Sequence, residues 1–220
     1  MGSRFKIMDS TNSRPTTKRE QRTASVDRIL DAALNLIVSN GYHATTVDQI
    51  AQKAGLTKGG VYNYFQSKSD MLLALLTEIE GLIVDSMIER VAEATASSQD
   101  KLVTAIHTQG VLAANKAKYL LLFILVLMEF SGTGDPIEQR VRAIYKRFID
   151  TIEGIVETGK RAGEFRADLN TKELAAVILA LEHGTLLEWY CRAGELNGKE
   201  LVRAARTVLL NGITKDRATE

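Results

Sequence analysis

TVDQIAQKAGLTKGGVYNYFQSK, residues Thr46–Lys68, sets out three helix starts in quick succession. Thr46 with Gln49 three residues on spells a capping box, a reciprocal side-chain and backbone pairing that opens a helix. Ile50, Ala51 and Ala54 give that helix a thin, close-packing apolar face. Gly55 breaks it, Leu56 plugs the turn, and Thr57 caps a second helix from Lys58 to about Phe65. Ser67 with Asp70 caps a third, starting at Lys68. Two short helices at a sharp angle around a three- to four-residue glycine turn form the geometry that lays a helix in the DNA major groove. The alternative left by the pattern is an ordinary helical hairpin with Tyr, Asn and Lys on plain surface.

Upstream, Val26, Leu30, Ala33 and Ile37 make one apolar stripe, predicting a helix from about Thr23 to Ser39 that Asn40-Gly41 ends. Residues 1–22 are polar and carry Arg4, Lys6, Arg14, Lys18, Arg19 and Arg22, the composition of a flexible basic arm that lies along phosphates or simply solubilises. Downstream, Leu72, Leu76, Ile79 and Ile83 predict a helix from Lys68 to about Ala94, roughly 40 Å long, tying the front of the chain to the rest. Five more helical stretches follow: about Gln99–Ala114, Lys118–Phe130, Pro136–Arg161, Thr171–Arg192 and Lys199–Asn211. The expected fold is all-α with about nine helices. Its parts are an arm (1–22), a three-helix head (23–68) and a helical-bundle body (69–220) for ligand binding and dimerisation.

Charge supports the division. Residues 1–70 hold 10 Lys and Arg against 6 Asp and Glu, while the remainder holds 18 against 21, within a net charge of +1. A basic front suits a polyanion partner for the front only. The single cysteine, Cys191, excludes an internal disulfide framework, fits a reducing compartment and reads as a small buried apolar residue. No signal sequence opens the chain, and the strongest apolar run, Tyr119–Phe130, is shorter than the roughly 20 residues a bilayer span needs. No metalloprotease, phosphate-loop, GxSxG or paired-cysteine motif occurs, so neither an enzyme, a metal nor a cofactor is expected.

The run Thr46–Lys68 resembles the DNA-binding signature of the TetR (tetracycline-repressor-like) family of bacterial regulators. Gly55, Thr57, Lys58, Gly59, Tyr62, Tyr64, Phe65 and Lys68 all fall in place, and the loop Gly163–Asn170 resembles the family's connection before its final helix pair. The resemblance implies a cytoplasmic, homodimeric, ligand-responsive repressor on a near-palindromic operator. Two heads would sit about 34–36 Å apart in successive major grooves. It implies DNA contacts from Thr46, Thr57, Lys58, Gly59, Tyr62, Asn63 and Lys68. The threonines cap helix N-termini that attract phosphate, Lys58 and Gly59 stand at the groove end of the recognition helix, and Lys68 acts as a phosphate clamp. Tyr64 and Phe65 are expected to pack the head core. The sequence departs from the pattern at Asn63, where the family often has His, and at Gly60, where a small β-branched or hydroxyl residue is common. Two adjacent glycines cost roughly 1 kcal/mol each relative to Ala, predicting a loose free recognition helix that firms up on DNA.

In the body, Thr171–Arg192 is apolar on two sides, which with Lys199–Asn211 predicts a four-helix bundle across a two-fold axis, the alternative being a larger monomeric core. A small, largely apolar effector is expected in a cavity between body helices, with Phe123, Leu127, Glu129, Tyr145, Phe148, Glu182, His183 and Trp189 as candidate lining. Glu129 and Glu182 interrupt apolar surroundings. Each either orients a ligand or pairs with Arg140, Arg142 or Arg147. Two other readings stay open: an activator or ligand-insensitive DNA binder, and a helical enzyme or carrier that uses the cavity.

Overall fold

The computed structural model describes residues 17–94 and 97–214. Nine α-helices and one π-helical segment make up the described residues: α1 (Lys18–Asn40), α2 (Val47–Ala54), α3 (Lys58–Tyr62), α4 (Lys68–Ile79), the π segment (Glu80–Asp85), α5 (Ser86–Glu93), α6 (Ser98–Glu129), α7 (Pro136–Arg161), α8 (Thr171–Cys191) and α9 (Gly198–Ile213).

The head closes as its caps dictate. Thr46 and Gln49 form the expected box, Thr57 accepts from the Gly60 N–H, and Ser67 accepts from the Asp70 N–H. Gly55 ends α2 at φ +68°, a left-handed conformation that a side chain resists. Ile29, Ile37, Ile50, Val61, Leu72 and Leu76 fill the space between α1, α2, α3 and α4. Each fully buried side chain of this kind contributes about 1.5–3 kcal/mol. Helix α3 is shorter than expected and stops at Tyr62, since Tyr64 and Phe65 turn inward onto the core. Helix α1 begins earlier than expected: Thr17 and Glu20 form a second capping box, so Lys18, Arg19 and Arg22 are helical rather than part of an arm. The rest of the expected arm, residues 1–16, lies outside the described residues.

The connecting helix runs from Lys68 to Glu93, interrupted by the π segment. Wider π turns loosen backbone pairing and gather at functional positions. Three outside side chains meet that segment. The Gln109 side-chain amide of α6 donates to the Ile83 carbonyl at 2.9 Å, and Arg140 and Arg147 of α7 both grip Glu80. Burial alone would raise the Glu80 carboxyl, but the hydrogen bonds from Arg147 and Arg140 prevail and hold it below the usual range.

Two expected helices merge into α6, with a kink at Lys116 (φ −141°, ψ 40°) where the break was anticipated. The apolar run Tyr119–Phe130 is therefore part of a longer helix. By length and composition α6 and α8 could each cross a membrane; here α6 packs on α1, α5, α7, α8 and α9. Helix α7 matches its expected bounds, with Pro136 in the first turn. The following loop folds Phe165 back onto Gly159, where an added Cβ would lie 2.3 Å from the ring. Cys191 ends α8 exposed, not buried, near exposed Leu187 and Tyr190.

Candidate nucleic-acid interface and ligand cavity

Thr46, Thr57, Lys58, Gly59, Tyr62 and Asn63 are all exposed. Lys58 at the start of α3 reaches Asp48 in the first turn of α2 at 2.7 Å, so the two helix N-termini stand side by side. The Asp48 hydrogen bond holds the Lys58 ammonium above its ordinary range. A Cβ on Gly59 would meet nothing within 4 Å, whereas one on Gly60 would press on the Thr57 hydroxyl at 3.2 Å. Gly60 is thus fixed by the cap beside it, and Gly59 leaves its backbone open to whatever approaches. Lys68, expected as a phosphate clamp, makes internal contacts in the free protein. Its ammonium donates to the carbonyls of Tyr42 and Thr45 at 2.6 and 2.7 Å and lies 4.1 Å from the Tyr42 ring centroid. Burial pulls it below its ordinary range. It is a half-buried strut from α4 to the α1–α2 loop.

Glu129 also differs from expectation. At the end of α6 its carboxylate accepts the Tyr42 and His43 backbone N–H groups at 3.3 Å each, while Phe130 packs edge-on to Tyr42 at 5.1 Å. It joins body to head and is no part of a cavity wall. The arginines offered by the sequence are engaged elsewhere: Arg140 and Arg147 with Glu80, Arg142 with Glu138.

The body holds a cavity of about 820 Å³ between α6, α8 and α9, reaching Phe148 on α7 and Ile83 in the π segment. Of the candidate residues, Phe123, Phe148, Glu182, His183 and Trp189 are in its wall. Leu127 does not; it packs on the core, one helical turn from the wall residue Phe123. Tyr145 stands behind the wall, 6.2 Å from the Phe123 ring and 6.1 Å from the His183 ring. Glu182 is half-buried as a residue, but both its carboxyl oxygens are enclosed and lack a hydrogen-bond partner. Burial pushes its carboxyl up to about 8 and pushes the His183 imidazole down. Sequence reasoning missed Gln109, Ile83 and the cations Lys199, Arg203 and Arg206 of α9, all in the wall. Periodicity placed them on helices without showing which faces met.

Two family models match: "Bacterial regulatory proteins, tetR family" over residues 29–75 and "Tetracyclin repressor-like, C-terminal domain" over residues 122–191. The crystal structure of the MbdR regulator from Azoarcus sp. CIB is 47% identical, with a TM-score of 0.80, covering 86% of this chain and 98% of that one. The chain belongs to the TetR family. This TetR-family protein is also similar to the fatty acid metabolism regulator protein of Bacillus subtilis, at 27% identity over 88% of this chain and 98% of the relative. The structure of the regulator FadR from Bacillus subtilis in complex with stearoyl-CoA matches with a TM-score of 0.68 at 27% identity, covering 84% and 98% of the two chains. The TetR-family protein is a ligand-responsive DNA-binding transcriptional regulator.

Proposed function

We propose that this chain is a cytoplasmic homodimeric repressor whose head grips its operator and lets go when an acyl-coenzyme A thioester fills the body cavity. The carrying observation is that the cavity wall includes Ile83, within the π segment of the helix that Lys68 starts in the head. An occupant of the cavity touches the same rod that positions the reading helix. Helix α6 gives a second route, since it lines the cavity along Ile106–Ile124 and ends in the Glu129 hook on Tyr42 and His43. The effector shifts the balance only by binding one head spacing better than the other.

The acyl-thioester class is supported by the stearoyl-CoA bound to the FadR relative and by the mostly apolar wall. The dimer is supported by apolar side chains on the outer faces of α8 and α9: Val177 is 59% exposed and Val208 70%. Pairing these two helices with their copies across a two-fold axis would cover both. Thr46, Thr57, Lys58, Gly59, Tyr62 and Asn63 form the reading surface, and Lys68 holds that surface in register from behind. A direct test selects duplex fragments from random DNA and follows their binding by fluorescence anisotropy. Octanoyl-CoA should release the protein from the selected fragment, and log affinity should fall linearly with log salt. A monomer that ignores duplex DNA at low salt contradicts the proposal.

A further inference from the structure

Among the described residues, the buried side-chain oxygens left without a hydrogen-bond partner are the two of Glu182. A lone carboxyl in apolar surroundings is costly in either protonation state unless something meets it. Glu182 stands one helical turn from Ile178 and one from Leu186, and all three belong to the cavity wall. The charged and titratable groups around the cavity leave it alone. Arg203, on α9, pairs with Glu200. Lys199 and Arg206, also on α9, form no ion pair with it. His107 on α6 is exposed, and Tyr145 on α7 lies against His183, the neighbour of Glu182 on α8. The π segment contributes Ile83, which is apolar. With only burial acting, the carboxyl sits at about 8 and is protonated at neutral pH. A protonated carboxyl donates one hydrogen bond and accepts others.

We infer that Glu182 is the effector-reading group of the cavity: uncharged, it donates its O–H to the carbonyl oxygen of an acyl group lying among Phe123, Phe148, Ile178 and Leu186. The anionic remainder of the effector meets Lys199, Arg203 and Arg206 on α9. This rests on the acyl-thioester reading above and adds to it the group that distinguishes an acyl from an alkyl chain. A cationic amine would instead ionise Glu182 and face the three basic residues.

The test compares octanoyl-CoA with its carbonyl-free thioether, S-octyl-CoA, by titration calorimetry on the full chain. The thioester should bind about tenfold or more tightly at pH 7. Glu182→Gln, which keeps a donor, should retain that preference, and Glu182→Leu should erase it. In the unsubstituted protein the preference should fall as pH rises through about 8, where Glu182 loses its proton, and should stay constant in Glu182→Gln. The pH profile needs no substitution, so a variant that folds badly does not blunt the test. Equal binding of thioester and thioether would overturn the role of Glu182 while leaving the effector class standing. Octylamine binding that tightens with rising pH would also overturn it, making Glu182 a counter-ion. If neither coenzyme A compound binds, the effector class fails and this role fails with it.

Discussion

Head and body obey different rules. In the head, each candidate contact sits within a few residues of the cap or turn that holds it: Thr57 accepts from Gly60, and Thr46 brackets with Gln49. In the body, the cavity joins Ile83, Gln109, Phe148, Glu182 and Arg206, drawn from five different helical segments. Local rules therefore specify the candidate reading surface, whereas the cavity exists only after packing. Where the two regions meet, Glu129 of α6 takes the Tyr42 and His43 N–H groups of the α1–α2 loop; within each region Lys68 ties α4 to that loop and Gln109 ties α6 to the π segment.

The largest way to break the contrast lies in the body. Glu182 has its carboxyl raised to about 8 by burial. The folded chain then holds a proton that the unfolded chain releases above the ordinary carboxyl range. Stability therefore falls as pH rises from about 4.5 to about 8, by up to about 1.4 kcal/mol per pH unit, and levels off above. Glu182→Gln removes this loss, so its melting temperature should exceed that of the unsubstituted chain by more at pH 8 than at pH 5. An advantage independent of pH would show that Glu182 titrates normally.

Next come two effects of similar size. Gly159→Ala forces a methyl group into the Phe165 ring and should cost about 1–3 kcal/mol in thermal unfolding, with DNA affinity per folded molecule unchanged. Lys58→Ala should cost about 1–3 kcal/mol on a selected operator and much less on random duplex, with no loss of thermal stability. Equal losses on both DNAs would assign Lys58 to phosphate.

A smaller effect sharpens the junction. Glu129→Ala removes two hydrogen bonds between α6 and the head, and should cost about 1–2 kcal/mol in stability. Octanoyl-CoA affinity should hold while its power to release operator declines. If release is undiminished, coupling runs through the π segment alone. The smallest is Gly59→Ala. In free protein it meets open space and should steady α3 by about 1 kcal/mol, read as slower amide exchange over residues 58–62, while weakening operator binding.

Much of this was legible beforehand. The three caps, the Gly55 turn and the Pro136 start follow from interactions spanning four residues or fewer, which sequence spacing displays directly. The partners of Lys68 and Glu129, 26 and 87 residues away, leave no trace in local spacing. Glu182 was singled out correctly as an intruder in an apolar stripe, but whether an arginine met it was open. Arg140 and Arg147 pair with Glu80 in the π segment instead.

The sequence alone determined which segments coil, where they stop and which short stretch presents exposed polar groups at paired helix starts, because capping and 3.6-residue periodicity are local free energies. Only the tertiary structure decided which helix faces enclose a void, which carboxyl is stranded in its wall and which lysine meets distant backbone carbonyls. Those outcomes depend on how much water each group loses when distant helices close on it, a quantity no neighbour in sequence can fix.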